Sequence, residues 1–383
     1  MFKKVSLSFG STLVTISKIA KHVRMMSDIS DVLLEVKGNV GLITLNRAKA
    51  LNSLDLGMVS LIYPTLSEWE KNENIGAIVI KGVGGKAFCA GGDVRVIAEE
   101  GILGTGGTLR QDFFKEEYQL NNAIGTLKTP YIALIDGITM GGGVGLSVHG
   151  HFRVGSEKTL FAMPETAIGF FPDVGGSFFL PKLQGELGTF LALTGQRLKG
   201  VDVYRAGVAT HYVESEKMFE LEQSILSMKE PTIKKILHLL ELYHKESIAK
   251  TSTEFSLNRH LDCIVRCFSK DSVEEIVEQL EKEDSDWARS QISTILKMSP
   301  LSLKVALKQI REGAKLRTLF ECLTMEYRIS QHFMNDKDFY EGIRAVLIDK
   351  DNQAKWDPNK LEDISNEKVD SYFASLGEKD LIF

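Results

Sequence analysis

The chain has 383 residues, of which 43% are hydrophobic and 25% charged, and its formal net charge is -5 at pH 7. This length allows one large domain or a domain with an extension, and no apolar run is long enough to cross a bilayer. The acidic balance gives no electrostatic basis for binding nucleic acid. The four cysteines lack the spacing of a zinc site or a disulfide framework, so we expect reduced thiols and no metal.

The first 27 residues differ in composition from the rest of the chain. They contain several lysines and an arginine but no acid, and the first acidic residue is Asp28. Serine, threonine and apolar residues lie between the bases, a composition typical of a mitochondrial transit peptide. A secretory signal is disfavoured because Ser, Thr and Lys interrupt the apolar stretch; a disordered basic tail is the alternative. We therefore predict that residues 1–27 direct import into the mitochondrial matrix.

From residue 31 to residue 162 the sequence is predicted to alternate between strands and helices, which favours an α/β fold. In chain order, the predicted elements are strands at 31–36 and 40–46, a helix at 56–72, a strand at 77–81, a helix at 94–100 capped by Asp93, a loop at 101–107, a helix at 109–127, and strands at 131–136, 152–154 and 160–162.

After Gly185 the pattern predicts helices only. The best-marked of these begins at Ser299-Pro300, where serine is the cap and proline the first helical residue, and it ends at Gly313. We therefore predict a catalytic core at 28–215 and a helical region at 216–383 that has no evident chemistry of its own.

Two acids stand out in the segment Met163–Gly176, MPETAIGFFPDVGG. Glu165 and Asp173 are surrounded by apolar residues, and acids are rarely buried unless they are paired or functional. A carboxyl in such surroundings has a raised pKa and can perform acid–base chemistry near neutral pH. The alternative is structural, with Glu165 capping a short helix and Asp173 beginning a turn.

A glycine-rich turn and a third acid add to this pattern. Gly137–Gly145, GITMGGGVG, follows a predicted buried strand and leads into a short helix. Backbone N–H groups at such a turn can hold phosphate or a developing oxyanion, although close packing alone also requires small residues. Glu117 falls on the apolar stripe of its predicted helix, so either a polar partner holds it in a pocket or it lies at the wet margin of the stripe. His149 is expected at the end of a helix and His151 at the start of a strand, and neither is expected to be catalytic.

Taken together, these segments resemble the crotonase (enoyl-CoA hydratase/isomerase) superfamily. The resemblance covers residues from about 31 to 215 and implies a stacked ββα superhelix followed by a helical C-terminal region. The matching segments, in order, are Leu45-Asn46-Arg47, Ala50-Leu51-Asn52, Lys86–Asp93, Gly137–Gly145 and Met163–Gly176.

The resemblance also implies a ligand and a set of site residues. Members bind acyl-CoA with the thioester carbonyl between two backbone N–H groups, which correspond here to Gly92 and Gly142. Three further positions match residues that commonly line the adenine and phosphate end of CoA: Lys49, Ala50 and Ala90. The only expected partner is the small acyl-CoA substrate; CoA belongs to that substrate, so no separate cofactor is expected, and a homo-oligomer is compatible with the resemblance.

One departure from the hydratase pattern determines the expected reaction. Hydratases have one glutamate just after the glycine turn and another in the Pro-Glu segment, but here the first position is Gly145 and only Glu165 remains. The expected reaction is therefore thioester hydrolysis, in which Glu165 activates water or attacks directly to form a mixed anhydride. Asp173 and Glu117 would orient water, a substrate hydroxyl or Glu165 itself.

The expected substrate is a small branched 3-hydroxyacyl-CoA of the kind formed in valine breakdown. Phe113, Phe170 and Phe171 could narrow the acyl pocket, and the acids could hold a hydroxyl group. The alternatives are a hydratase or isomerase of the same superfamily, and a non-catalytic relative that only binds acyl-CoA.

Overall fold

The structure is a computed structural model and describes residues 30–104 and 107–383. The predicted transit peptide at 1–27 lies outside the described residues. The strands are β1 (Val32–Lys37), β2 (Val40–Leu45), β3 (Ala77–Gly82), β4 (Ala87–Cys89), β5 (Tyr131–Ile135), β6 (Ile138–Met140), β7 (Phe152–Gly155), β8 (Leu160–Ala162), β9 (Leu198–Lys199) and β10 (His211–Tyr212). The α-helices are α1 (Leu56–Lys71), α2 (Val94–Leu103), α3 (Leu109–Thr126), α4 (Gly142–Val148), α5 (Gly176–Phe179), α6 (Leu187–Thr194), α7 (Val201–Arg205), α8 (Ser215–Leu226), α9 (Ile233–Ala249), α10 (Leu261–Phe268), α11 (Val273–Glu283), α12 (Asp286–Ile295), α13 (Pro300–Gly313), α14 (Leu319–Phe333), α15 (Lys337–Ile343) and α16 (Asn366–Ser371).

The strands form two sheets. The larger sheet has the order β1-β2-β3-β5-β7-β10 and the smaller sheet the order β4-β6-β8-β9. β1 and β2 are antiparallel, whereas β2, β3, β5 and β7 run parallel to their neighbours. β2 and β5 are buried along their whole length, as expected for parallel strands that are covered on both faces.

One arrangement of elements recurs along the core. A strand of the larger sheet is followed by a short strand of the smaller sheet and then by a helical segment, in the orders β3-β4-α2 and β5-β6-α4. A third unit consists of β7, β8 and the 3-10 helix Glu165–Ile168. Because β4, β6 and β8 are parallel neighbours, the units stack with their strand ends at one edge. The predicted α/β class and stacked ββα superhelix are confirmed, and this edge carries the glycine turns.

The region around α2 differs from the prediction in two respects. The helix continues through Gly101 to Leu103 and ends at Gly104, whose φ of 64° is left-handed, so the expected loop begins too early. A Cβ atom on Gly101 would lie 2.7 Å from Cε1 of Tyr340, so the glycine allows close packing within the helix. Asp93 does precede α2, but its side chain makes no cap; it accepts a hydrogen bond from Arg47 at 3.0 Å.

The expectation of helices alone after Gly185 is wrong for two short segments. β9 pairs with β8 and β10 pairs with β7, and each has only two residues. A two-residue strand has no periodicity of its own, because the neighbouring strand creates it. The helix that begins after Ser299 is confirmed at Pro300–Gly313, and the Ser299 hydroxyl accepts a hydrogen bond from the Ser302 N–H.

The helices that follow α9 share one hydrophobic core with strands of both sheets, whereas α9 packs in a second cluster on the larger sheet. The Phe170 ring lies 5.5 Å from that of Phe333 on α14 and 5.4 Å from that of Phe339 on α15. Tyr118 on α3 packs edge-on against Tyr327 on α14, with ring centroids 6.5 Å apart. Among the helices of the described segments, none is both long enough and apolar enough to cross a membrane.

Candidate active site

Two glycine turns bring backbone N–H groups together at the edge of the smaller sheet. Gly92 follows β4 and Gly142 follows β6, and these two strands are parallel neighbours. The Gly92 nitrogen lies 3.1 Å from the position that a Cβ atom would take on Gly142. Neither N–H donates to a side chain, turn or cap in the described part of the chain. The pair of N–H groups implied by the resemblance is thus close together at one point.

Two of the predicted carboxyl groups flank the second turn. Glu165 begins the 3-10 helix after β8, and its Oε1 lies 3.1 Å from the position of a Cβ atom on Gly141. Glu117 on α3 reaches the same turn from the other side, with Oε1 2.5 Å from the Cβ position of Gly142. Glu165 and Glu117 are 6% and 2% exposed, so of the two alternatives for Glu117 the wet margin is wrong.

Asp173 joins these glutamates from the loop that precedes α5. It is 6% exposed, and its Oδ2 accepts a hydrogen bond of 2.8 Å from the Tyr118 hydroxyl. Tyr118 is the residue after Glu117 on α3, so one helix positions two of the three acids. The three carboxyl groups predicted from distant parts of the sequence therefore share one buried site.

Burial and mutual repulsion raise the pKa of every acid in this site. Burial raises the pKa of Asp173 to about 8, and the negative charge of Glu326 adds to the shift. Burial, then the charge of Asp173, raises the pKa of Glu165. Burial raises the pKa of Glu117, followed by the charges of Asp173 and Glu165. Because the charge on one carboxyl group raises the pKa of its neighbours, these groups do not titrate independently.

A fourth buried acid, Glu326 on α14, supports the loop and was not predicted. It is fully buried and accepts hydrogen bonds from the N–H groups of Gly175 and Ser177, at 2.7 Å and 2.9 Å. The Ser177 hydroxyl and the Gln309 amide donate to it at 2.6 Å and 3.1 Å. A signal was available in the sequence, because Glu326 falls on the stripe that Leu319, Leu323, Ser330 and Phe333 form on α14.

His149 supports the same loop from below. Its Nε2 lies 2.7 Å from the Val174 carbonyl oxygen, which can only accept, so this nitrogen carries the proton. Burial lowers the pKa of His149 to about 4. Val174 has a φ of 53°, an uncommon backbone conformation for a β-branched residue. The imidazole holds this strained backbone in place, which agrees with the expectation that it takes no part in the chemistry.

The position of Gly145 leaves no room for a side chain. A Cβ atom there would lie 2.7 Å from Nδ2 of Asn121 and 2.8 Å from Cβ of Val174. Asn121 lies one turn after Glu117 on α3, on the same face of the helix. The amide therefore occupies the space into which a glutamate at position 145 would project.

Several buried polar atoms in the site have no hydrogen-bond partner within residues 30–104 and 107–383. They are Oε1 of Glu117, Oε2 of Glu165, and both Oδ1 and Nδ2 of Asn121. Buried polar side chains are nearly always paired with protein or water. This part of the site is therefore arranged to receive hydrogen-bonding groups from outside the protein.

The residues expected near CoA lie on two adjoining segments. Lys49 and Ala50 belong to the 3-10 turn Ala48–Ala50, and the Ala90 N–H donates to the Leu51 carbonyl at 3.1 Å. Phe113 covers the first glycine turn, with Cζ 3.1 Å from the Cβ position of Gly92. Phe170 and Phe171 are buried beneath the helical region, with ring centroids 4.5 Å apart.

The cysteine pair on α10 lies apart from this site. Cys263 and Cys267 are one turn apart with Sγ atoms at 3.8 Å, as expected for a shared helix face. Glu283 completes a group whose donor atoms lie within 4.8 Å of one another. However, Arg266 holds both Glu283 oxygens at 2.9 Å, and burial raises the pKa of Cys267 to about 12. Both features oppose metal binding.

Comparisons with known proteins agree with this fold. The family described as enoyl-CoA hydratase/isomerase matches residues 40–373. Mitochondrial 3-hydroxyisobutyryl-CoA hydrolase of Xenopus tropicalis is 57% identical over 366 residues, which cover 95% of this chain and 94% of that protein. The human protein of that name is 55% identical and covers 95% of each chain.

Two crystal structures are similar over nearly the whole chain. A carnitinyl-CoA dehydratase from Mycobacterium thermoresistibile has a TM-score of 0.85 and 37% identity, covering 93% of this chain and 99% of that one. An enoyl-CoA hydratase from Rhodobacter sphaeroides has a TM-score of 0.83 and 34% identity, covering 92% and 100%. On its sequence, its fold and these relatives, the chain belongs to the enoyl-CoA hydratase/isomerase family, the crotonase superfamily.

Proposed function

We propose that the protein hydrolyses the thioester of a small 3-hydroxyacyl-CoA. The proposed substrate is 3-hydroxyisobutyryl-CoA, which would give 3-hydroxyisobutyrate and CoA as in valine breakdown. The names of the vertebrate relatives support this proposal, as does their 55% to 57% sequence identity over 95% of the chain. The observation that carries it is Gly145, where Asn121 and Val174 fill the space that a second glutamate would need.

The proposed chemistry begins with the thioester carbonyl oxygen between the N–H groups of Gly92 and Gly142. These donors would stabilise the negative charge that develops as the carbonyl carbon becomes tetrahedral. In one route Glu165 removes a proton from water as the water oxygen attacks. In the other, a Glu165 oxygen attacks and the mixed anhydride is then hydrolysed. Both routes break the carbon–sulfur bond, release CoA as thiolate, which is then protonated, and use one water molecule.

The other two acids would assist from fixed positions. Asp173 accepts a hydrogen bond from the Tyr118 hydroxyl. Its remaining lone pairs could accept a hydrogen bond from water or from a protonated Glu165. Glu117 reaches the glycine turn from the opposite side, so it can face the acyl group. A raised pKa lets each of these groups keep its proton at a higher pH than an ordinary carboxyl group, so it can act as a proton donor.

The second candidate function is hydration or dehydration of an enoyl-CoA. The names of the two similar crystal structures favour it, at 37% and 34% identity. The space around Gly145 opposes it, because adding water across a double bond requires two poised groups. No second glutamate can project from this position without displacing Asn121 or Val174.

A paired assay separates the candidates. Free thiol is measured with Ellman's reagent on a panel of short acyl-CoAs, while enoyl absorbance is followed on crotonyl-CoA and methacrylyl-CoA. We expect thiol release to be fastest with 3-hydroxyisobutyryl-CoA. A change in enoyl absorbance without thiol release would replace the proposal by the hydratase, and binding without either signal would indicate a non-catalytic relative. Equal turnover of a long-chain acyl-CoA would contradict the proposed substrate class.

We further propose that the protein acts in the mitochondrial matrix, without a separate cofactor. The acid-free basic segment at 1–27 and the mitochondrial relatives support this location. A fluorescent fusion of residues 1–35 is expected to enter mitochondria and to be cleaved near residues 24–28. A control fusion in which the lysines and Arg24 are replaced by glutamine should stay outside. A cytosolic wild-type fusion would contradict the proposed location.

A further inference from the structure

Glu117 and Asn121 on α3 face Gly142 and Gly145 on α4, respectively. Glu117 Oε1 lies against Gly142, and Asn121 Nδ2 lies against Gly145, at 2.5 Å and 2.7 Å from the respective Cβ positions. Each pair of residues is separated by about one helical turn. A Cβ atom at either glycine would collide with one of these polar atoms, so the two glycines allow the polar groups of α3 to approach α4 closely.

The polar atoms that lie against these two glycines are complementary. Glu117 Oε1 can accept a hydrogen bond and Asn121 Nδ2 can donate one, and neither has a partner in the described part of the chain. Asn121 is fully buried, so its amide has no access to bulk water. Side chains one turn apart on a helix are neighbours, so the polar ends of Glu117 and Asn121 can both reach one oxygen atom between them. A hydroxyl group satisfies both atoms, because it accepts at its oxygen and donates its hydrogen.

We propose that Asn121 is a specificity-determining residue that binds the 3-hydroxyl group of the acyl chain together with Glu117. Asn121 Nδ2 donates to the hydroxyl oxygen, and the hydroxyl hydrogen is donated to Glu117 Oε1. This inference rests on the proposed function, because the hydroxyl belongs to the proposed substrate. An acyl group that lacks the hydroxyl leaves two buried polar groups unpaired, and a site built in this way discriminates strongly against such an analogue.

The same residue also accounts for the absence of a second glutamate. Since Asn121 and Val174 occupy the space at Gly145, the amide stands where a hydratase has its other carboxylate. An uncharged amide can bind the hydroxyl, but it can neither donate a proton to it as it leaves nor remove the proton on the carbon next to the thioester, and loss of water requires both. Asn121 therefore favours retention of the hydroxyl during thioester cleavage over its loss as water.

The test compares 3-hydroxyisobutyryl-CoA with isobutyryl-CoA, which differs only by the hydroxyl. We expect Asn121→Ala to lower kcat/KM for the hydroxylated ester at least tenfold and to change that for isobutyryl-CoA less than about threefold. Asn121→Ser, which retains a donor, should recover part of the preference. Asn122→Ala is the matched control. Asn122 is the next residue on α3, its buried Oδ1 also has no partner among the described residues, and it lines a separate cavity with His149 and Arg153.

Two outcomes would overturn the inference. They are an unchanged ratio between the two esters in Asn121→Ala, whether or not both lose activity equally, and the same change of ratio in Asn122→Ala. Binding of both esters by calorimetry in a Glu165→Gln background gives a readout that does not depend on turnover. There, loss of the hydroxyl preference on adding Asn121→Ala supports the inference, and an unchanged preference rejects it. Failure of the proposed function would show instead as absence of thiol release by the wild-type protein.

Discussion

At the scale of single residues, Glu165 is the side chain on which hydrolysis should depend most. We expect Glu165→Gln, which keeps the size but removes the base or nucleophile, to lower kcat at least about a hundredfold with affinity for the CoA ester retained. Asp173→Asn should lower kcat less than Glu165→Gln does if Asp173 only orients the water. It should lower kcat equally if Asp173 holds the proton that Glu165 must receive. The double variant should lose less than the product of the single losses, because groups that act on one water form a unit.

Steady-state thiol release and calorimetric affinity on the same protein preparations test this prediction. Glu99→Gln, at a partly exposed position on α2, serves as a control for the loss of a carboxylate. A Glu165→Gln variant that turns over near the wild-type rate would remove Glu165 from the catalytic centre. Activity that persists in the double variant would direct attention to Glu117.

Asp173 should also make the stability of the folded protein depend on pH. Its folded pKa of about 8 lies above the ordinary value of 3.8, so between these values the folded state binds more protons than the unfolded state. The stabilisation is present below pH 4 and is lost as the pH rises through about 8. Asp173→Asn removes this loss. Between pH 5 and pH 9, the free energy of unfolding of the variant should therefore rise by at least about 1 kcal/mol relative to that of the wild type.

Urea unfolding of both proteins at pH 5, 7 and 9 measures this difference. Asp262→Asn, at an exposed position on α10, is the matched control for removing an aspartate elsewhere. If the difference in the free energy of unfolding between the two proteins stays constant from pH 5 to pH 9, folding does not raise the pKa of Asp173.

The residues of the site differ in how far the sequence could predict them. Glu165, Gly92 and Gly142 lie in local motifs whose order and spacing were sufficient to bring them together. Glu326 and Asn121 enter from helices that are distant in sequence, where one polar residue on an apolar face has several explanations. Their roles depend on what they contact, namely the loop N–H groups for Glu326 and the Gly145 position for Asn121.

At the scale of elements, the contact between α3 and α4 should tolerate no added methyl group at Gly145. We expect Gly145→Ala to destabilise the fold by about 1–3 kcal/mol, as overpacking of a core does, because its Cβ would lie 2.7 Å from the Asn121 amide. Gly57→Ala is the control, since Gly57 is exposed on α1 and its nearest atom would lie 3.3 Å from the Cβ. It should be neutral or stabilising by up to about 1 kcal/mol.

Denaturant unfolding of the two alanine variants checks the pair. If Gly145→Ala proves as stable as Gly57→Ala, α3 and α4 can separate without loss. Space for a second carboxylate could then exist, and the main structural argument against a hydratase would fall.

Element prediction succeeded where one segment contains the whole signal. The buried strands β3 and β5 are apolar runs, and α13 has its cap and its stop within its own sequence. It failed where an element depends on another segment of the chain. β9 and β10 are strands only because they pair with β8 and β7, and α2 continues past Gly101 because Tyr340 packs against that glycine. Glycine within a helix is unfavourable on propensity alone, and here tertiary contact outweighs it.

At the scale of the whole molecule, the helical region completes the site rather than lying beside it. Glu326 on α14 supplies the acceptor for two loop N–H groups next to Asp173. Phe333 and Phe339 bury the ring of Phe170, five residues from Glu165. The predicted division at residue 215 follows the change in composition, but the described core crosses it. The expectation that residues 216–383 carry no chemistry of their own therefore does not mean that they are dispensable to it.

A protein truncated after residue 215 should consequently fail to fold as well as fail to act. Removing α14 leaves the Gly175 and Ser177 N–H groups without Glu326 and exposes the face of Phe170 and Phe171. Each unpaired buried group costs about 1–3 kcal/mol and each bared large apolar side chain about 1.5–3 kcal/mol, so together they approach the 5–15 kcal/mol that stabilises a typical domain.

Residues 28–215 and 28–383, expressed in parallel, provide the measurement. We expect native near-ultraviolet circular dichroism and thiol release only from the longer protein. Adding residues 216–383 as a separate chain should restore both in part, because the missing contacts are non-covalent. If 28–215 alone unfolds cooperatively and hydrolyses the ester at a comparable rate, the catalytic core is an autonomous domain, and the buried hydrogen bonds to Glu326 contribute little to the site.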